Sequence, residues 1–245
     1  MEQNERPEAA STGPDRERTI TAVERDAKQS RRYIIYADGE PILNVHEDIM
    51  VKYRLLKGAV LFEEDIRAIV RADELQQAYV QALRYLERKP RTSKEIAVRL
   101  TQKGFEAELI EQVIRRLEDE RFVDDALYAE QWTKQRVYGH KKGRIWVKHE
   151  LQQKGVSKEE IAQAIEQLEP ERELESAIQA GLKKWRQTKG SVKERKQKTA
   201  AYLLRRGYPG ELAYRAIRTI AWQEPADPEG VVGDEGDDDD IPFGD

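Results

Sequence analysis

The chain has 245 residues, 38% hydrophobic and 37% charged, so it can bury a core but is poor in apolar residues for a doubly wound enzyme of this length. The absence of cysteine excludes disulfides, thiolate metal sites and thiol nucleophiles; with no bilayer-length apolar run and no apolar signal core at the N-terminus, a soluble, cytoplasmic protein is expected. The net charge of −4 hides segregation: residues 1–77 carry 12 basic and 16 acidic side chains, 78–221 carry 31 and 21, and 222–245 carry ten acids and no base. A basic body joined to an acidic tail differs in its partners from a mildly acidic globule.

Residues 1–18 are polar and contain Pro7, Gly13 and Pro14; they are expected to be disordered. A small element follows over 19–61. Ile20 and Val23 suit a short strand, and Tyr33–Tyr36 is a β-rich run. After Asp38-Gly39 the apolar pattern resumes at Ile42, Leu43 and Val45, which predicts a hairpin because glycine accepts the positive φ of a tight turn. His46–Tyr53 reads as a short helix ending before Gly58. From Phe62 onward every periodic segment is helical: Ile66, Ile69 and Val70, then Tyr79, Ala82, Leu83 and Leu86 in a second helix that Pro90 ends. Thr92 with Glu95, and Ser157 with Glu160, have the spacing of capping boxes.

The body repeats itself. Gly104, Gly155 and Gly207 lie 51 and 52 residues apart, each preceded at four residues by Leu100, Leu151 or Leu203 and at one residue by Lys103, Lys154 or Arg206. Phe105, Val156 and Tyr208 follow directly. Offsets of 6, 10 and 13 place Ile110, Ile114 and Leu117 on one helical face, as they do Ile161, Ile165 and Leu168, and Ala213, Ile217 and Ile220. Each glycine sits where a helix end takes a left-handed residue, with a cation in the last turn. A further helix precedes each pair, near 74–88, 124–138 and 171–187. The expected fold is an all-α body of three tandem three-helix repeats, elongated and curved, behind a hairpin-containing N-terminal element. The repeats are assigned to 62–123, 124–169 and 170–222, with a disordered acidic tail over 223–245. Repeat arrays make extended binding surfaces more often than active sites.

These segments resemble the RecX family of regulatory proteins. The resemblance rests on ALRYLERKPRTSKEIAVRLTQKGF, ERFVDDALYAEQW and GRIWVKHELQQKGV, and covers about residues 19–222. The Asp124-Asp125 pair with Tyr128, Ala129 and Trp132 resembles the family's entry into its second unit. The block RRYIIYADGEPILNVHEDIMVKYRLLKG resembles an extension of members from low-GC Gram-positive bacteria, and KTAAYLLRRGY is the loosest match. The resemblance implies a three-repeat helical protein that lodges in the groove of the RecA–DNA filament and restrains RecA in recombination, repair and the SOS response. It supplies no catalytic residues, and the acidic tail departs from its pattern.

Two cationic stretches are the candidate interface. The first contains Lys134, Arg136, Lys141, Lys142, Arg144, Lys148, Lys154 and Lys158 against Glu150 alone. The second contains Lys183, Lys184, Arg186, Lys189, Lys193, Arg195, Lys196, Lys198, Arg205 and Arg206 against Glu194 alone. Solvated faces usually mix signs; a single-sign stripe in adjacent repeats suits phosphates of single- or double-stranded DNA, or an acidic protein surface. Trp132 and Trp185 read as core, whereas Trp146 between Arg144 and Lys148 is open to either role. His46, His140 and His149 lack metal-ligand spacing, and the run Asp237–Asp240 lacks that of a calcium loop. Neither GxxxxGK[ST] nor GxGxxG occurs, so no cofactor is expected, and an enzyme is the least supported class. A monomeric RecA-filament modulator is the leading reading. A helix-turn-helix-like DNA-binding regulator and a basic helical scaffold are the alternatives. The tail could compete with DNA for the stripe.

Overall fold

Alternating apolar residues drive the first elements into a sheet. The computed structural model describes residues 17–224, so the expected disordered segments lie outside the described residues except at their inner edges. There Arg18 already opens a strand and Gln223 closes the last helix. The chain divides into two compact units, whose described parts are 17–90 with 96–123, and 91–95 with 124–224.

In the first unit, β1 (Arg18–Arg25), β2 (Arg32–Ala37), β3 (Glu40–His46) and β4 (Val60–Leu61) form an antiparallel sheet of order β3-β2-β1-β4. Asp38 and Gly39 both have positive φ, 53° and 85°, the backbone of a type I′ turn, which matches strand twist. Helix α1 (Glu47–Lys52) starts at His46, whose Nδ1 accepts the Asp48 N–H at 3.3 Å. The two-residue β4 was not visible as periodicity.

Where the sequence pattern suggested two helices after Phe62, one continuous helix, α2 (Glu63–Leu86), is found. The intervening residues Arg71–Ala78 contain neither glycine nor proline, so nothing interrupts it. Its first half sends Ile69 into the sheet core of Ile20, Ile35, Val45 and Leu55. Its second half sends Ala78, Tyr79 and Ala82 into the first repeat, with Ile96, Leu100, Ile110, Val113 and Leu117. Buried Asp73 locks the helix to the sheet: it pairs with Arg32 at 2.8 Å and accepts the backbone N–H of His46 at 2.6 Å.

The repeats comprise α3 (Ser93–Gln102) and α4 (Ala107–Asp119); α5 (Asp125–Lys134), α6 (Arg144–Gln153) and α7 (Lys158–Glu166); then α8 (Pro170–Gln187), α9 (Val192–Arg205) and α10 (Gly210–Gln223). Helix α5 runs on through a π-helical turn, Gln135–Gly139. Leu100, Leu151 and Leu203 are each fully buried, so truncating any of them to alanine would cost about 2–5 kcal/mol. The capping boxes at Thr92/Glu95 and Ser157/Glu160 form. A third at Ser191/Glu194, which the sequence reading passed over, caps α9.

The three repeat glycines have φ of 89°, 86° and 82°, the left-handed conformation expected of helix C-termini. Two of them also receive the helix start of the preceding repeat. Thr92 Oγ1 donates to the Lys154 carbonyl at 2.6 Å beside Gly155. One repeat later Gly143 N–H donates to the Arg206 carbonyl at 2.8 Å, and Ile145 N–H to the Gly207 carbonyl at 3.0 Å. The bonds from Gly143 and Ile145 satisfy N–H groups that a helix start leaves unpaired. Backbones approach so closely that a Cβ on Gly143 would lie 2.2 Å from Gly207 backbone atoms. A Cβ on Gly104 would meet nothing within 4 Å.

Candidate nucleic-acid interface

The first cationic stretch begins on an aromatic platform in the second repeat. Trp132 stacks on Tyr128 with centroids 5.6 Å apart, and its indole N–H donates to Glu150 at 3.0 Å. Arg136 lies 4.1 Å over the Trp132 ring and pairs with Glu150 at 3.0 Å. Lys154 approaches the same ring at 4.7 Å and pairs with Glu95 at 3.0 Å. Both cations thus gain ring-face attraction and a carboxylate, and Trp132 is a half-buried platform, not a free stacking surface. Burial alone would raise the pKa of Glu95, but the Lys154 hydrogen bond and the Thr92 backbone N–H outweigh it and hold the carboxyl below its ordinary 4.5.

The loop after the π turn is tied down. Lys141, with φ of 54°, donates from Nζ to the Tyr138 carbonyl at 2.6 Å. Lys142 lies 3.8 Å over Trp146; burial, then repulsion by Arg206 and Arg136, lower its pKa against the pull of Glu150. Arg206 donates to the carbonyls of His140 at 2.7 Å and Lys141 at 3.0 Å. Arg144 makes a forked pair with Glu173, whose side chain is fully buried. That hydrogen bond is the chief reason the arginine's affinity for its proton rises. Glu173 joins Ser176, Ala177 and Ala180 on the inner face of α8. A carboxylate at helical spacing with small apolar residues could have signalled a buried partner in the sequence.

The remaining cations divide differently. Lys134 pairs with Glu130, and Arg186 with Glu224, the residue after α10. Arg195 and Lys184 are half-buried. Lys148, Lys183, Lys193, Lys196, Lys198 and Arg205 are exposed, and no carboxylate within ion-pair distance accompanies them among the described residues. Arg206 joins the two stretches directly through the 140–141 loop. Lys193 stands about 20 Å along α9 from that joint, at 1.5 Å per residue. Trp185 is buried, as its spacing suggested. Among the described residues no helix is long and apolar enough to cross a membrane, and no group of three or more acidic or histidine side chains could hold a metal ion.

Family models describing the first, second and third three-helix domains of RecX match residues 78–117, 124–165 and 171–217. The regulatory protein RecX of Listeria monocytogenes serotype 4b (strain F2365) is 32% identical over 195 residues, 79% of this chain and 72% of the relative. That of Limosilactobacillus reuteri (strain DSM 20016) is 30% identical over 199 residues, 81% of this chain and 75% of the relative. A crystal structure of regulatory protein RecX superposes with a TM-score of 0.71 at 30% identity, covering 82% of this chain and 99% of its own. RecX from Lactobacillus salivarius shares the fold, with a TM-score of 0.59 at 24% identity over 62% of this chain and 99% of its own. With three consecutive domain matches and relatives aligned over most of their length, the chain belongs to the RecX family of regulatory proteins.

Proposed function

We propose that this protein modulates the RecA recombinase, mainly by inhibition, by binding the RecA–DNA filament as a cytoplasmic monomer without enzymatic activity or a cofactor. Recombination, repair and the SOS response would be affected through the filament. Membership of the RecX family of regulatory proteins supports RecA as the partner. The observation that carries the DNA part is the set of exposed lysines on α8 and α9, with Lys148 on α6, that have no carboxylate within ion-pair distance among the described residues. Lysines left in solvent can exchange counterions for phosphates without breaking an internal contact. Arg144 and Arg206 already tie the second repeat to the third, and Arg136 and Lys154 are held by Glu150 and Glu95; in this reading they position the surface. The repeat limits 62–123, 124–169 and 170–222 are part of the proposal.

The test is RecA's ATP hydrolysis on single-stranded DNA, titrated with this protein at substoichiometric amounts. Inhibition well below one molecule per RecA is expected, weakened when Lys148, Lys193, Lys196 and Lys198 are changed to glutamate. No effect at any ratio, with folded protein and the cognate RecA, would overturn the RecA reading. Each lost phosphate contact should also lower the slope of log affinity against log salt by about 0.7–0.9. Selective binding to one duplex sequence would instead favour a helix-turn-helix regulator.

A further inference from the structure

Helices α6 and α7 enclose an open groove of about 800 Å³ in the second repeat. Its floor is apolar: Ile145, Ile161, Ile165 and Leu168 line it, and Ile145 remains 45% exposed. Its rim carries Lys148 and Lys158, both exposed, with Arg144 beside them and Glu166 as the one acid. Ile161 and Leu168 are buried beneath the groove, so the apolar surface open to a ligand is that of Ile145 and half-buried Ile165, which phosphates bound to the lysines would leave in water. The groove therefore suits a ligand with acidic groups next to apolar anchors.

The chain carries a segment of that chemistry. Residues 234–245 read DEGDDDDIPFGD: a run of four aspartates directly followed by Ile241-Pro242-Phe243. We propose that the α6–α7 groove is the docking site of this segment of its own chain. The aspartates would face Lys148 and Lys158, and Ile241 and Phe243 would cover Ile145 and Ile165.

The connection is long enough. Glu224 is held at the C-terminal end of α8, where its carbonyl accepts the Trp185 indole N–H at 3.2 Å. Pro170, at the other end of α8, lines the groove. The 18 residues of α8 separate the two by about 27 Å at 1.5 Å per residue. The 12 residues 225–236 can extend to about 40 Å at 3.3–3.6 Å each. A short tether raises the effective concentration of its cargo to about the millimolar range, so modest contacts suffice. The inference does not depend on RecA being the partner.

Because the chain has no cysteine, Glu159→Cys on α7 and Gly244→Cys give two unique label sites for energy transfer in the full chain. A short-distance population is expected at low salt. It should be lost in Ile241→Ser/Phe243→Ser and in Lys148→Glu/Lys158→Glu, and recovered when the latter is combined with Asp238→Lys/Asp239→Lys. An added peptide of residues 234–245 should displace it, and a scrambled peptide should not. Transfer unchanged by the Ile241/Phe243 substitutions would overturn the proposal. Those substitutions lie outside the described core, so this arm holds even if a groove variant fails to fold. Transfer between two singly labelled molecules, rising with protein concentration, would identify a second copy as the donor and overturn docking within one chain.

Discussion

Gly143→Ala isolates the close approach between the second and third repeats. The backbone at Gly143 has φ of −77° and ψ of 160°, which alanine adopts without strain, so any loss arises from the methyl group. That methyl would sit 2.2 Å from Gly207 C and O and from Tyr208 N, against backbone that cannot rotate away. Either the contact is strained, at about 1–3 kcal/mol, or it opens. Opening would remove the bonds from Gly143 to Arg206 and from Ile145 to Gly207, each worth about 0.5–1.5 kcal/mol. Each route costs about 1–3 kcal/mol, and a clash with three backbone atoms at once puts the loss in the upper part of that range, about 2–3 kcal/mol. Gly104→Ala is the control. Its φ of 89° penalises alanine, but nothing lies within 4 Å, so about 1–2 kcal/mol is expected. Urea unfolding followed by far-ultraviolet circular dichroism gives both values, and amide exchange at Ile145 reports whether the junction opens. A Gly143→Ala loss equal to or below that of Gly104→Ala, with Ile145 still protected, would refute the close-approach argument.

Other perturbations separate structural from contacting cations. Arg144→Ala should destabilise the protein by about 2–4 kcal/mol in chemical denaturation, because it strands the buried Glu173 carboxylate; partial exposure of Arg144 keeps this near the lower end. Lys193→Glu/Lys196→Glu should change stability by less than about 1 kcal/mol, since exposed charges contribute little, while weakening single-stranded DNA binding in anisotropy titrations. The lowered carboxyl of Glu95 adds stability that is present above its ordinary 4.5 and is lost as pH falls through its folded value. Unfolding of the wild type and Glu95→Gln should therefore converge on acidification; a gap constant with pH would contradict the assignment. Removing residues 225–245 should raise DNA affinity at low salt; unchanged affinity there would show that the segment does not compete for the cations.

Helical periodicity and the glycine spacing made the repeat architecture legible, because local rules govern both. Leu100, Leu151 and Leu203 are invisible to water, as their place on each helix face required. Asp38-Gly39 turned as its chemistry dictates. Legibility failed where the partner lies far along the chain. Arg144 meets Glu173 across 29 residues, Lys154 meets Glu95 across 59, and Arg206 meets Lys141 across 65. Sequence displays such cations as one positive run, while folding assigns several of them to internal carboxylates and carbonyls. The aromatic platform at Trp132 was hidden in part for the same reason: Arg136 lies one helical turn on, but Glu150 and Lys154 reach the ring from another helix. Glycine at 143 likewise gave no signal, because its constraint comes from a turn one repeat away.

That distance along the chain has a kinetic meaning. Each repeat core forms from residues within about one repeat length, so its nucleus can assemble early. The contacts of Arg206 with the 140–141 loop close over 65 and 66 residues and require two finished repeats to meet. They are expected to form after the folding transition state, where a lost interaction speeds unfolding and leaves the folding rate nearly untouched. The Gly143–Gly207 seam would then act as a latch on lifetime: Gly143→Ala should raise the unfolding rate, lifting the unfolding arm of a chevron plot, while Leu151→Ala slows folding itself.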